Sequence, residues 1–101
     1  MELIETPVFS RQVTAELSDD AYRALQWYLL LRPEAGAVVP GSGGLRKLRW
    51  ALRGRGKRGG ARVIYYWKPP DRLYLLFLYP KNVQGDLAPT QAKLLRALVD
   101  D

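Results

Sequence analysis

The sequence predicts an α+β fold: a small antiparallel β-sheet of about four strands packed against N-terminal helices, with a C-terminal helix. Three observations predict it. Helical spacing of apolar residues runs from Ser10 to Arg32, three strand-like runs follow between Leu45 and Pro80, and a proline-led amphipathic stretch closes the chain. A chain of 101 residues has room for one core, so residues 1–101 are expected to form a single domain. An apolar fraction of 48% argues against disorder over most of that length.

The elements follow in order. "LIETPVF", Leu3 to Phe9, alternates loosely and reads as a short first strand that Pro7 confines to an edge or a strand end. A short helix is expected over Ser10 to Leu17, with Ser18 as the joint to a longer one. Ser18 suits an N-cap, and Asp19 and Asp20 complement the helix dipole in the first turn. Tyr22, Leu25, Gln26 and Leu29 then fall on one mainly apolar face, and Pro33 and Gly36 stop the helix. Gly36 to Gly44 reads as a loop by its Gly, Pro and Ser content.

"LRKLRWAL", Leu45 to Leu52, alternates cleanly. Leu45, Lys47, Arg49 and Ala51 share one face of the strand; Arg46, Leu48, Trp50 and Leu52 share the other. "RGRGKRGG" has four glycines and no apolar residue, which makes it an exposed loop. "ARVIYYWK" is a strand, "PPDR" a turn, and "LYLLFLYP" a strand apolar on both faces and therefore central. After "KNVQGDLA", Pro89 opens the last helix, with Leu94, Leu95 and Leu98 as its expected apolar stripe.

Net charge is +6, and its distribution says more than the total. No Asp or Glu occurs from Ala35 to Pro70, yet nine of the sixteen cations lie there: Arg46, Lys47, Arg49, Arg53, Arg55, Lys57, Arg58, Arg62 and Lys68. Unbalanced positive charge in so small a chain is the footprint of a polyanionic partner, nucleic acid first. A membrane surface fits less well, because the cations do not alternate with a helical apolar stripe.

The absences narrow the chemistry. Without His or Cys there is no imidazole base, no thiolate and no standard zinc site. The acids are scattered, and the adjacent pairs Asp19–Asp20 and Asp100–Asp101 sit at expected helix ends. Neither a metal nor a cofactor is expected. No apolar run approaches the ~18 residues a spanning helix needs, the acidic, proline-broken N-terminus is unlike a signal peptide, and a cysteine-free chain has the cytoplasm as its default location.

"GSGGLRKLRWA", "GKRGGARVIYYW", "LYLLFLYPKN" and "DLAPTQ" together resemble the RelE/ParE superfamily of bacterial type II toxins, most closely its HigB (RelE-like) branch. The resemblance covers Ser18 to Ala97 in order and spacing. It implies a RelE-like fold and a ribosome-dependent mRNA endonuclease (an mRNA interferase) that cleaves mRNA in the A site and inhibits translation. It also implies a cognate antitoxin as partner, HigA-like and DNA-binding, beside the ribosome and mRNA. Residue by residue, Lys47 and Arg49 match the two basic positions of the family's second strand, Arg62 the arginine opening the next, and Lys81 a basic residue after the central strand. In RelE an arginine comes next, where this chain has Asn82. RelE's tyrosine further on is replaced by Leu87–Ala88, which leaves its role unfilled or to Tyr79 or Tyr66. Two alternatives share the fold: a ParE-like toxin that acts on DNA gyrase without nuclease chemistry, and an inactive basic RNA-binding module.

The residue types suit that chemistry. Strand cleavage needs a 2′-OH deprotonated, charge on a pentavalent phosphate stabilised and a 5′-oxygen protonated. Lys47 and Arg49 leave one strand in the same direction and Arg62 begins its neighbour, so three cations can converge on a phosphate, with Arg62 able to grip two oxygens. Each well-placed donor is worth on the order of 3 kcal/mol to such a transition state. Lys47 is the expected base, on the argument that crowding by Arg46, Arg49 and Arg62 favours a neutral amine; Lys81 is the expected acid or a second phosphate contact. Arg46, Arg53, Arg55, Lys57, Arg58, Lys68, Asn82 and Tyr79 are expected RNA or ribosome contacts. Trp50, Tyr66 and Trp67 can stack on bases, although Trp67 shares a face with Val63 and Tyr65 and is better suited to the core.

Overall fold

Thr6 and Pro7 decide how the chain begins. In the computed structural model, which describes residues 1–52 and 60–99, strand β1 is Glu2–Glu5 and helix α1 is Pro7–Glu16. β1 lies at the sheet edge and stops short of Pro7, as expected, and Pro7 then opens a helix. Its fixed φ is helical and its missing N–H is one that a first turn leaves unused, while the Thr6 hydroxyl accepts from the Phe9 N–H at 3.0 Å. The helix expected from Ser10 starts at Pro7.

Helix α2, Asp19–Leu31, begins where its cap predicts, with Ser18 Oγ accepting from the Ala21 N–H at 3.1 Å. Leu25 and Leu29 are fully buried, and Tyr22 and Gln26 are half-buried beside them. The remaining elements are β2 (Ala37–Val38), β3 (Arg46–Trp50), β4 (Ala61–Lys68), β5 (Arg72–Pro80) and helix α3 (Pro89–Ala97).

The sheet has five strands in the order β1-β5-β4-β3-β2. β1 runs parallel to β5, and the other pairs are antiparallel. The sheet is thus mixed, one strand larger than the four antiparallel ones expected. β2 has two residues, too few to show a period, and it lies inside the segment read as a loop.

Both faces of the sheet are covered. Phe9, Val13, Leu25 and Leu29 of α1 and α2 pack on Leu48, Val63, Tyr65, Leu73, Leu75 and Leu78. On the opposite face Leu45, Ile64, Leu76 and Tyr79 meet Leu87, Ala92 and Val99. This two-sided packing is why β5, lying between β1 and β4, is apolar on both faces from Leu73 onwards.

Helix α3 docks through a different stripe from the one expected. Ala92, Leu95 and Val99 face the sheet, whereas Leu94 and Leu98 are 71% and 59% exposed. Arg96 takes part in the inner face: its guanidinium lies over the Tyr66 ring, 4.6 Å from the centroid, and its Nε donates to the Gly43 carbonyl at 2.9 Å. With this cation stacked on an aromatic ring of the sheet, Arg96 lies on the docked side of the helix and Leu94 and Leu98 lie outside it.

Candidate functional site

The α3 side of the sheet carries the cations. Alternation puts Lys47 and Arg49 of β3 on that face, and antiparallel register places Arg49 opposite Arg62 and Arg62 opposite Tyr79. Arg49, Arg62 and Tyr79 therefore form one rung across β3, β4 and β5. Lys47, Ile64 and Phe77 form the next rung towards the β2 end of the face. Arg49 is exposed, Lys47 half-buried, and Arg62 only 4% exposed, with Nη1 donating to the Ala61 carbonyl at 3.3 Å.

Lys81 follows β5 directly. Its N–H donates to the Gly60 carbonyl at 2.9 Å, tying the start of the 81–88 loop to the start of β4. Its charge reaches Asp86, whose carboxyl is held below its ordinary value. The hydrogen bond from Lys47 is the largest cause, followed by the Leu87 N–H and the charge of Lys47, with Lys81 adding to them. Lys47 Nζ and Asp86 Oδ1 are 3.1 Å apart.

Tyr79 is buried and its ring packs against Phe77 at 6.1 Å. Its hydroxyl has no hydrogen-bond partner among the described residues. Burial pushes the phenol pKa up and Asp86 adds to the rise, while Arg62 opposes it.

The face therefore brings together Lys47, Arg49, Arg62 and Tyr79, with Lys81 at its margin and Asn82 exposed beside Lys81. Arg46 stands on the other face, where Nη1 donates to the carbonyls of Glu34 at 3.1 Å and Gly36 at 2.8 Å. It holds the end of the α2 connection and does not crowd Lys47, which meets a carboxylate instead. Lys68 ends β4, six residues from Arg62 and about 20 Å along the strand at the usual rise. Trp50 packs on Tyr28 at 5.6 Å, and Trp67 packs on the helical core. Arg53, Arg55, Lys57 and Arg58 lie outside the described residues.

Asp86 is the site residue that sequence reasoning missed. It is one acid among scattered ones, and nothing near it in the chain announces a partner in β3.

A protein-family model described as the RelE toxin of the RelE / RelB toxin-antitoxin system matches residues 35–101. The chain belongs to the RelE toxin family. The matched segment runs from the end of the α2 connection through α3 and contains Lys47, Arg49, Arg62, Tyr79, Lys81 and Asp86. Residues before it supply β1, α1 and α2, which complete the sheet edge and cover the face opposite the cations. Membership in the RelE family makes the chain a toxin of a toxin–antitoxin pair, with a cognate antitoxin as its partner. Among the described residues of this RelE-family toxin, no helix is long and apolar enough to cross a membrane.

Proposed function

We propose that this RelE-family chain, residues 1–101 as one toxin domain, is a metal-independent endoribonuclease of the HigB-like branch that cleaves mRNA in the ribosomal A site. One observation carries the reading: the rung Arg49–Arg62–Tyr79 with Lys47 beside it gathers three cations on one rigid face, inside the segment that matches the family. Like charges this close are unfavourable until an anion joins them, and a backbone phosphate is the anion whose transition state gains further charge.

The roles follow from position. Arg49 and Arg62 stabilise the phosphorane. Arg62 is already stripped of most of its water, so its hydrogen bonds to phosphate oxygens are worth more than an exposed arginine's. Lys47, once its ammonium has passed a proton to solvent, receives the 2′-OH proton, and Lys81 at the margin supplies one to the departing 5′-oxygen. The 2′-oxygen–phosphorus bond forms as the phosphorus–5′-oxygen bond breaks, leaving a 2′,3′-cyclic phosphate and a 5′-hydroxyl. So small a set of acid–base groups needs the ribosome to orient the strand. Action there places the chain in the cytoplasm. Its antitoxin, HigA-like and DNA-binding, masks the basic face.

Purified protein added to a translating extract, with mRNA 5′ ends mapped by primer extension, tests the reading. Cuts within codons that require ribosomes and vanish in Lys47→Ala and Arg62→Ala are expected. Intact mRNA with growth arrest retained would overturn the reading and direct attention to gyrase. Intact mRNA without arrest would leave an RNA-binding module.

A further inference from the structure

The 81–88 loop is built around Asp86. Its Oδ1 accepts from the Leu87 N–H at 2.8 Å while also accepting from Lys47 Nζ at 3.1 Å. Its own carbonyl accepts from Gln84 Nε2 at 2.8 Å, and Gln84 is bonded in turn to Gln91. The Gln91 side chain accepts from the Ala88 N–H at 2.9 Å, closing the start of α3, and Leu87 is buried in the core beneath. Besides the Lys47 bond, four bonds and a buried anchor hold the loop that carries this carboxylate, which is itself 77% exposed. Surface acids rarely receive such support, and a solvated ion pair alone would not require it.

We infer that Asp86 is a positioning residue of the basic face, its carboxylate holding the Lys47 ammonium in register with Arg49 and Arg62 so that substrate phosphate meets a preset amine. The inference rests on the nuclease reading above. A lysine has four rotatable bonds and disperses its charge over a wide arc unless something holds it. Asp86 acts from the loop side, where it leaves the open side of the face to the RNA. The same anion opposes phosphate binding, so the arrangement exchanges some affinity for a fixed reacting group.

Asp86→Asn keeps the size and removes the charge. Two readouts are needed. The first is side-chain NMR relaxation of the lysine Cε methylenes: Lys47 is expected to be restricted in the wild type and as mobile as exposed Lys93 in Asp86→Asn. The second is ribosome-dependent cleavage. Asp86→Asn is expected to lower kcat by about tenfold or more while KM stays level or falls, and Asp86→Glu is expected to recover part of the rate at unchanged Tm. A purely structural role would instead raise KM and lower Tm together. Equal mobility of Lys47 in both proteins, or cleavage by Asp86→Asn at the wild-type rate, overturns the inference. If the wild type cuts no mRNA the nuclease reading falls, and the relaxation arm alone still decides whether Asp86 holds Lys47.

Discussion

Arg49 and Arg62 stand directly opposite each other across β3 and β4, where sheets ordinarily pair unlike charges or apolar groups. Like charges in that position destabilise a sheet, and because Arg62 is buried the repulsion is screened less than at an open surface. Arg49→Gln is therefore expected to raise stability by about 0.5 kcal/mol in urea denaturation. Added salt should stabilise the wild type more than the variant. A variant that is less stable at low salt would mean that the arginines hold the strands together.

Tyr79 makes a similar point in the neighbouring strand. A buried hydroxyl without a partner costs about 1–3 kcal/mol, whereas the ring alone packs at no such cost. Tyr79→Phe keeps the ring against Phe77 and is expected to stabilise the fold by about 1 kcal/mol, read as a higher urea midpoint. Loss of stability on removing the hydroxyl would show that it has a partner in solution.

Much of this face can be read from parity alone. Strand period 2 puts Lys47 with Arg49 and sets Arg46 with Leu48 and Trp50, and the structure keeps that division. The expectation that Arg46 crowds Lys47 overlooked it. Ser18, Asp19, Leu25 and Leu29 were legible because caps and helical spacing act within a few residues. What was not legible acts at a distance. The parallel pairing of Glu2–Glu5 with Arg72–Leu75 leaves no local trace. Pro7 fits a strand end and a helix start equally well until Thr6 is seen capping. Leu94 and Leu98 look like core until Arg96 settles on Tyr66. Asp86 becomes a site residue only when the fold brings β3 to it.

Those exposed leucines can be tested directly. Leu94→Lys and Leu98→Gln remove little buried surface, and a shift within about 0.5 kcal/mol is expected for each, the usual range at a surface. Leu95→Ala, on the side facing the sheet, is expected to cost more, roughly 1–2 kcal/mol for a partly buried leucine. Equal losses at all three positions in thermal unfolding would place the docked stripe elsewhere.

Three tyrosines give the alkaline limb of stability its sign. Burial is the first cause that raises Tyr22, Tyr65 and Tyr79 above the ordinary 10.0; Tyr22 also donates to Glu5, and Asp86 lies near Tyr79. Each is neutral when protonated, so its folded value lies above its unfolded one. The stability this contributes is complete below pH 10 and is lost as pH rises through the folded values. On the acid side Asp86 has the opposite sign: its lowered folded value gives a contribution present above 3.8 and lost as pH falls below it, small because the carboxylate is exposed. Part of the phenolate absorbance is expected to rise at higher pH in the folded protein than in urea. Coincident titrations in both would remove the basis for the alkaline limb.

Gly60 joins the fold to the site most tightly. A Cβ built there would lie 2.2 Å from the Trp50 carbonyl oxygen, closer than real Cβ atoms come to backbone. The residue sits where the end of β3 passes the start of β4, and its own carbonyl receives the Lys81 N–H at 2.9 Å. An alanine must push Trp50 away or tilt β4, and a tilt of β4 carries the Gly60 carbonyl, and with it Lys81, from the margin of the basic face. Gly60→Ala is expected to destabilise by about 1–3 kcal/mol, the range of overpacked sites. On the nuclease reading proposed above, RNA cleavage should fall even well below its unfolding temperature. Gly85→Ala in the adjoining loop is the control, since its Cβ meets nothing within 4 Å. A smaller conformational freedom in the unfolded chain should leave that variant neutral or slightly more stable. Chemical denaturation of the pair separates the two cases. Equal midpoints for Gly60→Ala and Gly85→Ala would show that β3 and β4 have room to part, and that Lys81 does not depend on their close crossing.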